Sequence, residues 1–248
     1  MPLTSTMPYR ELTGNIFASK AQALVNTVNC VGPMGKGIAL EFRRRFPEMY
    51  ETYKAVCDKG ALAPGDLLPY RDSKPWVLNL AVKNDWKHPS KIEWVEQCLL
   101  NFCKWYPSVA LKSVAFPWMG AMNGRIPLDE IKDVTRHFLE NLDDIEVEVY
   151  SFDPYAPDPL FDTLQGLVTG HSREDFRHKI GLQKKKADWV YVMIEAQQAR
   201  SLSEITASGE LGKASLDRLY ASLVAAGDAQ KNPEQGSPDS NPEQMDLL

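Results

Sequence analysis

The sequence predicts an α/β layered domain followed by a mainly helical extension, and two observations lead to this fold class. Up to residue 152, strand-like and helix-like segments alternate along the chain, as they do in domains whose helices pack against a parallel or mixed sheet. Beyond residue 152 the composition changes, because prolines cluster first and the remaining periodic segments have helical spacing.

Four segments of the first part predict strands, and three of them are mostly apolar, as the interior strands of a sheet are. They are residues 23–28, 76–82, 113–118 and 145–152. Two segments between them predict amphipathic helices. Residues 90–106 open with a capping box of Ser90 and Glu93, and residues 127–142 carry Pro127 in the first turn. The side chains that we expect to point inward are Ile92, Val95, Leu99 and Phe102 in the first helix and Leu128, Ile131, Phe138 and Leu142 in the second.

The second part of the chain predicts small helices between two irregular segments. Three prolines within residues 153–162 indicate a linker, which we place at 154–160. A small helical region is expected at 161–228, and the polar, proline-rich residues 229–248 are expected to be disordered. The clearest helix covers residues 213–226, where Leu216, Leu219, Tyr220 and Leu223 recur at helical spacing.

Composition narrows the class of protein. The 248 residues are 44% hydrophobic and 25% charged, which is typical of a globular protein. The apolar runs are too short to span a membrane and the first residues lack the pattern of a signal peptide, so we expect a cytoplasmic protein. The four cysteines and four histidines lack the spacing of a metal site, and we expect free thiols, no metal and no cofactor. The net charge of -5 argues against nucleic-acid binding through a global positive field but permits a local basic strip.

A glycine-rich turn joins the first predicted interior strand to a helix, in the segment NCVGPMGKGIALEF at residues 29–42. Unpaired backbone N–H groups and the positive end of the helix dipole point to the same place in such a turn, which favours a bound diphosphate. From the glycines alone, a surface loop with capping glycines is equally compatible. The dinucleotide motif GxGxxG is absent, and Gly37 follows Lys36 where a P-loop needs a hydroxyl.

Four segments in order resemble the macrodomain family: LTGNIF at 12–17, ALVNTVNCVGPMGKGIALEFRRRFP at 23–47, NLAVKNDWKHPS at 79–90 and FPWMGAMNGRIP at 116–127. Within that family they are similar to the DarG-like branch of DNA ADP-ribosyl glycohydrolase antitoxins. The resemblance implies a three-layer α/β/α fold with a mixed central sheet for residues 1–153. It also implies hydrolysis of ADP-ribose from a base of ADP-ribosylated, single-stranded DNA, and a DarT-like toxin as partner.

The same resemblance implies an ADP-ribose site built from three segments. Asn15 replaces the aspartate common in the wider family and would accept a hydrogen bond from the adenine amino group. Met122 stands where many relatives have a glycine. The expected contacts are Asn15, Ile16, Thr27, Asn29, Gly35, Lys36, Gly37, Ile38, Ala39, Met119, Gly120, Ala121, Met122, Asn123 and Gly124.

Lys83 is the residue that we expect to carry the chemistry. It follows an apolar strand, at the strand end where open α/β sheets place their sites, and it matches the lysine on which activity depends in the DarG-like branch. It would act either as a neutral amine that attacks ribose C1″ or as a charged group that stabilises the leaving base. Relatives acting on protein glutamate add an aspartate in the second phosphate loop, where this chain has Asn123 and Gly124. We therefore expect a lysine-only mechanism in which Asn29 orients the ribose.

Two other functions use the same pocket: a non-catalytic ADP-ribose-binding module, and an enzyme acting on ADP-ribosylated protein or on ADP-ribose 1″-phosphate.

Four further features of the sequence have expectations of their own. We expect Trp86 and Trp118 to pack in the core, with base stacking as the alternative, and Arg43–Arg45 to form a solvated helix face. The basic strip at 171–189 is compatible with DNA, an acidic partner or a solvated helix end. Residues 161–228 are a possible partner-binding module.

Overall fold

A computed structural model of the chain describes residues 9–231 and contains a six-stranded sheet and two groups of helices. The strands are β1 Tyr9–Gly14, β2 Ala23–Asn29, β3 Leu67–Tyr70, β4 Trp76–Lys83, β5 Ser113–Pro117 and β6 Glu146–Phe152. The α-helices are α1 Gly37–Arg45, α2 Pro47–Asp58, α3 Ile92–Trp105, α4 Leu128–Leu139, α5 Pro159–Thr169, α6 Arg173–Ile180, α7 Lys184–Glu195, α8 Leu202–Ala207 and α9 Lys213–Lys231. In these residues, no helix combines the length and apolar character that a membrane span requires.

The sheet has the order β1-β6-β5-β2-β4-β3 and is mixed, as expected. Neighbouring strands from β1 to β4 in this order run parallel, whereas β3 pairs with β4 in the antiparallel direction. The four strands expected from the apolar runs occur within one residue of their predicted ends. The short edge strand β3 was not predicted, because Pro69 interrupts its pattern and proline is tolerated only at a sheet edge or bulge.

Helices cover both faces of the sheet, which confirms the three-layer α/β/α architecture. Alternate residues of β2 point to opposite faces. Val25 joins a core with α3 and α4, and Leu24 joins a second core with α1 and α2. This arrangement buries the central strands on both sides and leaves only the strand ends open for a site.

Two details of the predicted helices are wrong. The capping box fails because α3 begins at Ile92 with Lys91 as its N-cap. Ser90 lies outside the helix, and its backbone N–H donates to the carbonyl oxygen of Gly124 at 2.9 Å. In α4, Leu128 is 44% exposed, because the buried stripe runs through Ile131 and the residues four and eight positions later.

The helices α5–α9 form a second unit with its own apolar core, which confirms the mainly helical extension. Leu216, Leu219, Tyr220 and Leu223 of α9 are all buried, as their spacing predicts. Helix α5 starts at Pro159, inside the predicted linker, and α9 continues to Lys231, past the predicted start of the tail at 229. The remainder of the predicted tail, residues 232–248, lies outside the described residues. The domain boundaries therefore remain a proposal.

The expectation that Arg43–Arg45 form a solvated helix face is wrong, because even the side chain of Arg43, the most exposed of the three, is only 18% exposed and lies 3.4 Å from Asp217. The side chains of Arg44 and Arg45 are only 3% and 7% exposed. Arg44 pairs with Asp217 of α9 at 2.9 Å, and Arg45 pairs with Asp158, the N-cap of α5, at 2.6 Å. The helical unit thus packs on α1 and pairs with its arginines.

The basic strip at 171–189 is partly neutralised within its own unit. Arg173 and Arg177 both pair with Asp188, at 3.0 and 2.5 Å, and the ammonium group of Lys186 donates to the hydroxyl oxygen of Ser215. Two of the six cations that the sequence places in this strip therefore share one acidic partner, whereas Lys186 bonds to a neutral group and keeps its charge.

Candidate active site

The carboxyl ends of β2, β4 and β5 meet at one edge of the sheet, and the predicted site residues follow these ends. Strand β2 leads into the glycine loop (residues 29–39), β4 leads into the lysine loop (83–91), and β5 leads into the second loop (118–127). In the sheet β2 lies between β4 and β5, so the connection from β4 to β5 passes across β2. Open α/β sheets form their binding crevices at such points.

A β-bulge sets the positions of the two residues predicted to be catalytic. Val28 pairs with Ala81, but the next residue of β2, Asn29, pairs with Lys83, so that Val82 is the extra residue. Bulges near sites redirect the side chains that follow them. Asn29 and Lys83 consequently lie opposite each other where their strands end.

Lys83 lies between the strand ends and the second loop. Its ammonium group donates to the carbonyl oxygen of Asn123. Burial, followed by the positive charge of Arg125, lowers the pKa of Lys83 below the ordinary lysine value. Both effects destabilise the charged form, so the neutral amine becomes more accessible here than on an ordinary surface.

Arg125 belongs to this site, although the sequence reasoning did not select it. Its backbone has a φ of 65°, in the left-handed region that costs a non-glycine residue about 1 kcal/mol. Strain of this kind is common in loops that position functional groups. The sequence did contain a signal for Arg125, because it is a basic residue directly after Gly124 of the second loop.

The second loop folds closely onto itself. A Cβ atom added to Gly124 would lie 2.1 Å from the carbonyl oxygen of Gly120, so this position requires glycine. The same carbonyl accepts from Ile126 N–H, and the carbonyl of Gly124 accepts from Ser90 N–H. These bonds hold the loop in shape against the lysine loop. Met119 is buried in the core, while Met122 is 80% exposed.

The glycine loop and the second loop approach each other at the start of α1. Gly37 has a φ of 56°, and a Cβ atom added there would lie 2.5 Å from Nδ2 of Asn123. No side chain caps the N-terminus of α1, so its first N–H groups point into the loop region. Gly35 and Lys36 are exposed there, and Ile38 and Ala39 are partly buried in the first turn. This is the geometry of an anion site.

Asn29 shapes the glycine loop. Its side-chain oxygen accepts from the N–H groups of Val31 and Gly32, both at 3.0 Å, and its Nδ2 donates to the carbonyl oxygen of Pro33 at 2.7 Å. The hydroxyl of Tyr53 donates to the Asn29 carbonyl at 2.6 Å. The buried amide therefore supports the loop directly, and a contact with ribose remains a prediction.

Asn15 and Ile16, expected at the adenine, follow the end of β1, and Thr27, expected to contact ADP-ribose, lies in β2. Asn15 is buried, and its side-chain oxygen accepts from the N–H of Phe17 at 3.0 Å, which caps the short 3₁₀ turn Ile16–Ala18. Ile16 packs into the core shared with α1 and α2, and Thr27 is partly buried within β2. Contact of these three residues with a nucleotide remains a prediction.

The two tryptophans differ in environment. Trp118 packs against the core with α3 and α4, and its indole N–H donates to the hydroxyl of Ser151 at 2.9 Å. Trp86 is 54% exposed on the lysine loop. The expectation of core packing is therefore confirmed for Trp118 and wrong for Trp86.

Comparisons with known proteins agree with this fold. A model of the Macro domain family matches residues 25–135. A DNA ADP-ribosyl glycohydrolase from Thermus aquaticus is 39% identical over 146 residues, which cover 57% of this chain and 40% of that protein. The solved macrodomain of Thermus aquaticus DarG matches with a TM-score of 0.55 and 38% identity, over 58% of this chain and 97% of that one.

A third match is the structure of Thermosipho africanus DarTG in complex with ADP-ribose, with a TM-score of 0.56 and 29% identity. It covers 60% of this chain and 42% of that chain. This chain matches about 40% of the length of the Thermus aquaticus DNA ADP-ribosyl glycohydrolase. The family model ends before α5, so it does not include the helical unit.

Proposed function

This chain belongs to the macrodomain family, and from that premise we propose that it hydrolyses the bond between ADP-ribose and a DNA base. The observation that carries the proposal is Lys83, whose pKa is lowered and whose amine lies beside the second loop. A module that only reads ADP-ribose needs the loops but does not need such a lysine.

The two loops would hold the diphosphate, with the N-terminus of α1 supplying backbone N–H groups and a favourable dipole. Asn29 keeps the glycine loop in shape, and Lys36 adds positive charge beside it. In this arrangement the ribose bonded to the base lies at the ends of β2 and β4, next to Lys83.

The lowered pKa supports the amine route rather than the charged one. The neutral amine of Lys83 attacks ribose C1″, the bond from C1″ to the base nitrogen breaks, and its electron pair leaves with the base. The base nitrogen takes up the proton that the attacking amine loses. Water then attacks C1″, the bond from C1″ to Nζ breaks, and Lys83 regains its proton while free ADP-ribose leaves.

The biological role that fits this reaction is that of an antitoxin to a DNA ADP-ribosyltransferase of the DarT type. Hydrolysis would reverse the toxin's modification of single-stranded DNA. The helical region at 161–228 is then a candidate module for binding that toxin, because it has its own core and lies beyond the match to the family model.

Parallel incubations with two substrates test the proposed function. The protein is incubated with an oligonucleotide ADP-ribosylated on a base and, separately, with a protein ADP-ribosylated on glutamate, and the released ADP-ribose is quantified by chromatography. We expect release from the oligonucleotide and an unchanged modified protein, since the acid found in glutamate-specific relatives is replaced by Asn123 and Gly124. Tight binding of free ADP-ribose with release from neither substrate would contradict the proposal and identify a reader.

A further inference from the structure

The loops around Lys83 carry large apolar side chains that are exposed to solvent instead of packing in a core. Trp86 on the lysine loop is 54% exposed and Met122 on the second loop is 80% exposed, and Val31 on the glycine loop is exposed as well. Each of the three loops at the site thus presents one large apolar side chain to solvent. The three loops are hydrogen-bonded to one another, and exposed apolar groups on adjoining loops are typical of a binding surface.

The lysine loop is anchored at both ends, so Trp86 is held in a defined place. The carbonyl oxygen of Asn84 accepts from Cys30 N–H of the glycine loop at 3.1 Å, and Ser90 N–H donates to Gly124 of the second loop at 2.9 Å. Between these bonds, Asp85 accepts from Lys87 N–H at 2.9 Å. Trp86 is therefore presented to solvent three residues beyond the catalytic lysine.

The same loops are basic, although the chain is acidic. They contain five lysine or arginine residues and one acid, Asp85, against a net charge of -5 for the whole chain. The five cations are Lys36, Lys83, Lys87, Lys91 and Arg125. The Lys87 ammonium lies 5.5 Å from the centroid of the Trp86 ring, so a positive charge accompanies the exposed aromatic group. An aromatic platform among cations is complementary to a nucleic-acid strand, in which bases alternate with phosphates.

We propose that Trp86 is a stacking platform for a base adjacent to the modified one, with Lys87 and Arg125 near the flanking phosphates. This inference rests on the proposed function, which identifies the bound strand as DNA. It also favours a single strand, because in a duplex the neighbouring base is stacked and paired and has to leave the helix to reach Trp86.

The test compares two substrates with the same bond: an ADP-ribosylated single-stranded oligonucleotide and the ADP-ribosylated nucleoside. Trp86→Ala should lower the ratio of the two kcat/KM values, oligonucleotide over nucleoside, by on the order of 10- to 100-fold. Trp86→Phe, which retains an aromatic face, should restore most of the ratio. An unchanged ratio in Trp86→Ala, with hydrolysis by the wild type intact, would overturn the platform while leaving the proposed function standing.

Binding of an unmodified oligonucleotide gives a readout that does not depend on hydrolysis. Lys87→Gln should reduce the slope of log affinity against log salt concentration by about 0.7, the contribution of one phosphate contact to a single strand. Lys184→Gln, an exposed lysine at the start of α7, is the matched control and should leave the slope unchanged. An effect of Lys184→Gln without an effect of Lys87→Gln would assign the contact to the basic strip and overturn the inference. If the wild type binds the strand but hydrolyses nothing, the proposed function fails, and the platform is tested by the affinity of Trp86→Ala for the unmodified oligonucleotide, which should fall on the order of 10- to 100-fold. An unchanged affinity would overturn the platform.

Discussion

Lys83 and Arg125 form the pair on which the proposed chemistry depends. The positive charge of Arg125 and burial both act against the protonated form of Lys83. Arg125 is held in a strained backbone conformation beside it. The pair suggests that the loop is shaped to supply a lysine with a greater share of neutral amine.

The pH dependence of the reaction should reveal this pair. If the neutral amine attacks, kcat/KM rises with pH and levels off above the lowered pKa of Lys83, which lies below the ordinary lysine value. Removing the neighbouring charge in Arg125→Gln raises that pKa, so the rise should move to higher pH. Initial rates between neutral and alkaline pH give the profile, with Lys184→Gln as the charge control. A rate that falls over this range would instead indicate that the ammonium form is active.

Glycines of the site have two separable roles. A Cβ atom at Gly124 would collide with the backbone of Gly120, whereas a Cβ atom at Gly35 meets no atom within 4 Å among the described residues. We expect Gly124→Ala to destabilise the fold by more than about 1 kcal/mol. Gly35→Ala should keep the melting temperature but weaken ADP-ribose binding by about tenfold, or ~1.4 kcal/mol, because the methyl group would occupy the approach of the diphosphate.

Thermal unfolding and calorimetric titration with ADP-ribose check both variants. Gly212→Ala is the control, since a Cβ atom there also meets nothing and the residue lies in the helical unit. Wild-type affinity in Gly35→Ala would show that the glycine loop is an ordinary surface turn.

At the scale of elements, α1 connects the site to the rest of the molecule. Its first residue, Gly37, faces Asn123 of the second loop, and its last residues, Arg44 and Arg45, pair with the helical unit. A shift of the helical unit would therefore act on the same helix whose N-terminus is expected to hold the diphosphate.

The pair of Arg45 and Asp158 should contribute strongly to stability, since both side chains are only 7% exposed. Asp158→Asn keeps the oxygen that caps α5 but leaves the buried Arg45 with only the more distant and partly exposed Glu41, at 3.5 Å, as a counter-charge. We expect a loss of about 3 kcal/mol or more in the free energy of unfolding. Asp188→Asn breaks ion pairs with two arginines that are far more exposed than Arg45, Arg173 at 46% and Arg177 at 28%, and should cost no more than about 1 kcal/mol. Denaturant unfolding of both variants measures the difference, and equal losses would contradict the account of this interface.

The central elements could be predicted from the sequence because their signals are local. The apolar run of β2, the apolar run of β4 and the glycine turn between β2 and α1 are each contained in a short stretch of consecutive residues. The burial of Arg44 and Arg45 could not be predicted in this way, because their partners Asp217 and Asp158 are more than 100 residues distant along the chain. The pairing of Ser90 with Gly124, which removes the expected capping box, is similarly nonlocal.

At the scale of the whole molecule, three apolar cores support one chemically distinct edge. Two cores lie on the faces of the sheet and the third lies within the helical unit. The edge at the ends of β2, β4 and β5 gathers basic residues and exposed apolar side chains on an otherwise acidic chain. The resemblance to macrodomains identified Lys83 and the loops, while Arg125 and the exposure of Trp86 depend on how the loops fold together.

In the proposed reaction Lys83 breaks the bond between ribose and base while the loops bind ADP-ribose. The most direct measurement is the single-turnover rate of ADP-ribose release from an ADP-ribosylated oligonucleotide, compared among wild type, Lys83→Ala and Lys36→Ala, alongside each protein's affinity for free ADP-ribose. We predict that Lys83→Ala loses release by about 100-fold or more and retains its affinity, whereas Lys36→Ala mainly loses affinity. Release by Lys83→Ala at a rate close to that of the wild type would contradict the claim.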